Sequence, residues 1–164
     1  MRIPAIAMLL TLVSPILADC PRVPGEEDDR RANAGCLILQ DGQALLVSHR
    51  WGGKLGVPGG TREENELAQC TAYRETLEET GLSVTVGRRL EVMKNGFHLY
   101  RCYPQQPLSA SPLAVPARAL AEVKGLGWHA PGSLDRENWR FSYQFDLFLD
   151  VLNRALQQQN AEPE

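Results

Sequence analysis

Between Gly52 and Gly60 the chain places glycine or proline at six of nine positions: Gly52, Gly53, Gly56, Pro58, Gly59 and Gly60. No helix interior or central strand accepts that density, so this stretch is a shaped loop. Residues 63–80, which follow at once, are rich in Glu, Leu, Ala, Gln and Arg and end at Gly81, a pattern that predicts a helix with a glycine stop. Within that helix Glu75, Glu78 and Glu79 are related by i, i+3 and i+4. At about 100° per residue they share one face. Cys70, Tyr73 and Leu77 are expected on the opposite face, against a sheet.

Three carboxylates so close repel one another unless solvent, a cation or the neighbouring Arg74 compensates them. An acidic helix face is ordinarily just solvated. A glycine-rich loop directly ahead changes the expectation, because bare backbone can approach a phosphate or offer a carbonyl to an ion. Hard carboxylate oxygens suit Mg²⁺, with Mn²⁺ as a substitute, and Mg²⁺ usually completes its shell with water and substrate phosphates.

The spacing from Gly60 through Glu66, Arg74-Glu75-Thr76 and Glu78-Glu79 to Gly81-Leu82 resembles the Nudix box. It departs at Thr76, a packing position where an aliphatic residue is more usual. Pro58-Gly59 also resembles the family's lead into the box. The resemblance implies a Nudix fold and a hydrolase that cleaves the diphosphate linkage of a nucleoside diphosphate joined to another group. It further implies that Glu75, Glu78 and Glu79 bind Mg²⁺ with the Gly59 carbonyl, that Arg74 orients Glu75, and that Glu66 steadies the loop–helix junction. Glu75 and Glu122 are the two candidates for the base that activates water.

His49, Arg50 and Lys54 stand close enough ahead of the box to meet substrate phosphates, with Gly60 lending its backbone; solvated basic residues are the plainer alternative. His98 and His129 read as structural. Trp51, Phe97 and Tyr100 are candidates to stack on a base, although aromatic residues in strands more often join the core. Tyr100, downstream of the box, also resembles a feature of dinucleoside polyphosphate hydrolases, which makes it a substrate-binding candidate. The rivals from other classes are a noncatalytic Nudix-fold module that binds a phosphorylated ligand or protein, and a secreted structural domain. The intact glutamates speak against the first, and four cysteines are too few to be the chief support of the second.

The remaining pattern predicts an α/β (α+β) domain over residues 34–156, a mixed β-sheet between α-helices. Strands are expected at 36–39 and 44–48 around an Asp41-Gly42 turn, then at 82–92 and 97–103 around Lys94-Asn95-Gly96, and at 122–128. A proline-rich loop covers 104–119, and a closing helix spans 141–156, ahead of a frayed tail at 157–164. There is no internal repeat. A net charge of -3 argues against a nonspecific nucleic-acid binder. The expected partner is a small diphosphate substrate, and oligomeric state is not legible.

Arg2 and an uncharged apolar run to Leu17, closed by Ala18, read as a signal peptide at residues 1–18. The run is too short, and too interrupted by Pro4 and Pro15, for a membrane span. Export to a bacterial periplasm or beyond is expected; an uncleaved anchor, or lipidation at Cys20, is the lesser alternative. Residues 19–33 then read as a polar, solvated leader. Cys20, Cys36, Cys70 and Cys102 all follow the cut, which suggests two disulfides in one of three pairings, against the alternative of free buried thiols.

Overall fold

The computed structural model describes residues 20–108 and 113–161. The proposed signal peptide and the final three residues lie outside the described residues.

The first apolar run forms β1 (Ala34–Leu37) and β2 (Leu39–Gln40), and it turns through Asp41-Gly42, both at positive φ, into β3 (Gln43–His49). The run is apolar at successive positions because both of its faces are covered. Ala34, Cys36 and Ile38 enter one core, while Leu37 and Leu39 enter another. β3 divides in the same way, Leu45 toward the first core and Ala44 and Leu46 toward the second.

After β3 come β4 (Leu55–Gly56), β5 (Gly59–Gly60), helix α1 (Ala68–Thr80), β6 (Val84–Val92), β7 (His98–Pro104), β8 (Val123–His129) and helix α2 (Phe145–Ala161). The strands lie in two sheets. One has the order β5-β1-β7-β6, with β1 and β7 parallel; the other has the order β2-β3-β4, with β8 also paired to β3. The chain changes sheets at Ile38, between β1 and β2. Helix α1 covers the first core. Helix α2 closes the second with Phe148, Val151, Leu152 and Ala155, and Trp139 stacks on Phe148 at 4.1 Å between ring centroids.

Both helices depart from the sequence expectation in their bounds. Helix α1 starts at Ala68 rather than 63, because Asn65 takes a left-handed φ of 61° and residues 63–66 form a separate turn. Its inward face carries Ala68, Ala72 and Thr76, with Cys70, Tyr73 and Leu77 only partly buried. Small residues let the helix backbone lie close to β1. Helix α2 starts at Phe145, after a 3₁₀ turn at Ser142–Gln144, and stays helical through Ala161, beyond the expected end.

Residues 20–33 pack onto the domain instead of standing in solvent. Val23 N–H donates to the Val86 carbonyl at 2.9 Å, and Val86 N–H donates to Pro21 O at 2.8 Å. The Gln69 side chain donates to Glu26 O and Gly87 O and accepts from Asp28 N–H. This attachment uses backbone hydrogen bonds and a disulfide, neither of which needs an apolar period. The disulfides are Cys20–Cys70 and Cys36–Cys102, with Cα separations of 5.2 and 5.4 Å. Among the described residues no free cysteine remains and no helix is long and apolar enough to cross a membrane.

Candidate active site

The glycine loop ends as β5, wedged between β1 and α1. A Cβ on Gly59 would lie 2.5 Å from the Gly35 Cα and 2.6 Å from the Ala34 carbonyl oxygen, so only glycine permits this approach. Gly60 faces the helix: a Cβ there would come within 2.5 Å of the Glu75 carboxylate. Gly59 N–H donates to Glu79 Oε2 at 2.8 Å. The loop and two of the three glutamates are thus seated against each other.

Arg74 organises the carboxylates. Its guanidinium grips Glu66 through Nε and one terminal nitrogen, at 2.9 and 3.0 Å, and donates to Glu75 Oε1 at 2.9 Å, to Glu78 Oε2 at 3.3 Å and to the Thr61 carbonyl at 2.9 Å. Glu66 also accepts from Glu63 N–H and the Thr71 hydroxyl, which pins the turn ahead of the helix. Burial works against ionisation of Glu66, but the bonds from Arg74, the Glu63 N–H and the Thr71 hydroxyl together outweigh it and hold the carboxyl below its ordinary range. Thr76 lies beneath this layer, its Oγ1 buried without a hydrogen-bond partner among the described residues.

Glu79 behaves in the opposite sense. It is 6% exposed, and burial, with repulsion from Glu75 and Glu122, pushes its carboxyl up to about 8 against the pull of Gly59 N–H and Arg140. Glu75 is also raised, by burial first and then by Glu78 and Glu122, with Arg74 opposing. Such concentrated negative charge in a poorly solvated place favours a cation or a proton. Among the described residues no three His, Cys, Asp or Glu side chains close into a ready-made ion cage, since Glu75 and Glu78 are turned to Arg74 and Glu79 to Gly59. The donor set suits an ion that draws only part of its shell from carboxylates.

The wall opposite α1 is the segment 117–122, which brings Glu122 into the same cleft as Glu75, Glu78 and Glu79. Two arginines hold this segment. Arg118 donates to the carbonyls of Leu77 and Glu78 at the end of α1, at 2.6 and 3.4 Å. Arg50 donates from Nε to Leu120 O at 2.6 Å, and its backbone N–H donates to Glu122 O at 2.7 Å. Arg50, a substrate candidate from sequence, therefore uses its side chain on the protein.

Lys54, Trp51 and Thr61 line the cleft. Arg140 enters from the segment after β8, where Arg140 N–H donates to Leu55 O, and its guanidinium lies 3.2 Å from His49 Nε2. Since arginine only donates, Nε2 accepts and a neutral His49 carries its proton on Nδ1. Burial, then Arg140, lowers His49 to about 4, so the ring is neutral near pH 7.

Tyr100 stands apart from the cleft. It is fully buried on the α1 side of β7, and its hydroxyl donates to Asp28 Oδ2 at 3.0 Å, fastening the leader. Strand alternation put it there: Tyr100 shares its face with Cys102, not with Leu99. Sequence reasoning missed Arg118 and Arg140. Both are isolated arginines in irregular segments, with no periodicity or motif to mark them.

The chain matches the family model described as NUDIX domain over residues 29–146. It is 33% identical over 127 residues to a MutT-like protein of Streptomyces ambofaciens, which covers 74% of this chain and 76% of that protein. Among solved structures, a UDP-X diphosphatase superposes with a TM-score of 0.63 at 18% identity, over 83% of this chain and 68% of that one. An Ap4A hydrolase of C. elegans gives 0.60 at 13% identity, over 79% and 99%. These structural likenesses carry the fold, while the family model and the MutT-like relative carry membership: the chain belongs to the Nudix family of hydrolases.

Proposed function

We propose that this chain is a Mg²⁺-dependent hydrolase that cleaves the diphosphate linkage of a nucleoside diphosphate joined to another group. One observation supports this most: Glu75, Glu78 and Glu79 on α1 and Glu122 on the opposing segment line one cleft, floored by Gly59 and Gly60. Nudix hydrolases generally use divalent metals, and the donors here fit Mg²⁺, with Mn²⁺ as a substitute. Glu75, Glu78, Glu79 and the Gly59 carbonyl would hold it, and the bound ion would supply charge neutralisation at the leaving phosphate and an acidified water.

The chain's own residues do the rest. Arg74 fixes the position of Glu75 while leaving Glu75 Oε2 free of that bond. Lys54 and Arg140 meet the phosphates from the opposite rim. Glu75 and Glu122 are the two groups placed to take the proton from an attacking water. Because Glu75 is also a proposed metal ligand, Glu122→Gln decides: kcat lost with Mn²⁺ still bound identifies Glu122 as the base, and kcat retained leaves Glu75. Export is also part of this reading, supported by the two disulfides; N-terminal sequencing of the mature protein tests it.

The deciding experiment measures phosphate or nucleotide release from a panel of nucleoside diphosphate compounds, with Mg²⁺ and with EDTA, for the native chain and Glu79→Gln. Metal-dependent release abolished in the variant is expected. A panel left intact by a protein that binds one of its members would replace hydrolysis with a binding role.

A further inference from the structure

His49 and Arg140 stand on segments that flank β4 on its two sides. β3 pairs with β4 through Val47 and Ser48. The chain at 138–140 pairs with Leu55 from the other edge, Leu55 N–H donating to Asn138 O at 2.7 Å and Arg140 N–H to Leu55 O at 2.9 Å. Trp139, 4% exposed in the second core, anchors this segment, and alternation sends Arg140 the opposite way, to the cleft. The imidazole reaches the guanidinium across β4 at Gly56. A Cβ on Gly56 would meet His49 Nε2 at 3.4 Å and the Arg140 Cβ at 4.0 Å, so a side chain longer than a methyl group would stand between them.

Both partners of this guanidinium are uncharged. Nη1 donates to His49 Nε2 at 3.2 Å, Cζ lies 5.2 Å from the centre of the Phe141 ring, and among the described residues Arg140 pairs with no carboxylate. Arg74, beside the same glutamates, is bound instead to Glu66, Glu75 and Glu78, which neutralise it. A carboxylate at position 49 would hold Arg140 more firmly, but it would cancel the positive charge and add another anion near Glu75, Glu78, Glu79 and Glu122. A neutral acceptor fixes the group and leaves its charge for an incoming anion. Nε and Nη2, the fork that matches two oxygens of a phosphate, have no hydrogen-bond partner among the described residues. We infer that His49 is a positioning residue, which by accepting from Nη1 presents the Nε–Nη2 edge of Arg140 as a bidentate grip on a phosphate of the substrate. This rests on the diphosphate reading above and deepens it, by naming the residue that aims the cationic rim of the cleft.

The test is calorimetric binding, with Mg²⁺, of methylenediphosphonate, a diphosphate analogue that is not cleaved. It is measured for the native chain, Arg140→Ala, His49→Leu, His49→Gln, and Arg140→Ala combined with His49→Leu. Arg140→Ala and His49→Leu each weaken binding roughly tenfold, the scale of a hydrogen bond to a charged group. His49→Gln, whose Oε1 accepts in place of Nε2, returns binding to within about threefold of native, and in the Arg140→Ala background His49→Leu changes it by less than about twofold. Nitrogen NMR of the ligand-free chain shows Nε2 of His49 as the unprotonated nitrogen. Native-like binding in Arg140→Ala or His49→Leu overturns the inference, as does a loss that His49→Gln does not restore or that persists undiminished without Arg140. A protonated Nε2, or a native chain that does not bind the probe, overturns it as well. Because the readouts are binding and a ring tautomer, a chain that passes them yet cleaves nothing loses the hydrolase reading alone. A chain that cleaves while its binding ignores His49 loses only this inference.

Discussion

The Arg118 guanidinium donates to the Leu77 carbonyl at 2.6 Å, tying the segment that carries Glu122 to the last turn of the helix that carries Glu78 and Glu79. With Arg50 bound to the Leu120 carbonyl from the other side, the Glu122 segment is held at both edges. Arg118→Ala is therefore expected to lower kcat by roughly tenfold or more with little change in KM, through the position of Glu122. In a Glu122→Gln background the same substitution should add little. Full additivity in this double-mutant cycle would detach Arg118 from Glu122.

Gly60→Ala places a methyl group where the Glu75 carboxylate lies. The backbone of β5 is paired to β1, so the side chain must give way. The variant should fold, lose Arg74–Glu75 contact and cut turnover by about 10²-fold or more, on the scale of misplacement by about 1 Å. Wild-type turnover would show that the close approach has no catalytic consequence.

Glu79 sets a pH dependence whose sign follows from its raised carboxyl. Unfolded, the group titrates near about 4.3; folded, it is pushed up to about 8 by burial and by Glu75 and Glu122, against Gly59 N–H and Arg140. Between those values the folded protein keeps a proton that the unfolded chain releases. Its stabilising contribution is present below about 4.3 and is lost as pH rises through about 8. Denaturant titrations in EDTA should show this decline, and Glu79→Gln should flatten it while keeping the Gly59 bond. With Glu79 as a ligand in the proposed site, Mg²⁺ would compete with that proton, so its stabilising effect should grow with pH over the same window. Identical slopes in both proteins would reject the assignment.

The Cys20–Cys70 bridge closes a loop of 50 residues between the leader and α1. Chain-entropy arguments give such a crosslink about 4 kcal/mol. Cys20→Ser with Cys70→Ser should lower stability by an amount of that order and raise hydrogen exchange at Val23 and Val86, whose amides bind across this junction. Unchanged exchange at those amides would mean that the leader holds without the bridge.

Spacing along the chain determined the loop, the helix, its glycine stop and the common face of Glu75, Glu78 and Glu79, because these depend on contacts within a few residues. The Asp41-Gly42 turn and the β6–β7 hairpin were legible for the same reason. Where Tyr100 points was not: both faces of β7 are buried, and apolarity alone does not say which face meets the leader. The tertiary fold alone decided the cysteine pairing, the packing of residues 20–33, the arginine clamps on the Glu122 segment and the entry of Arg140 into the cleft. Each joins segments distant in sequence, and such contacts are selected by the packing of the whole domain rather than by any local pattern.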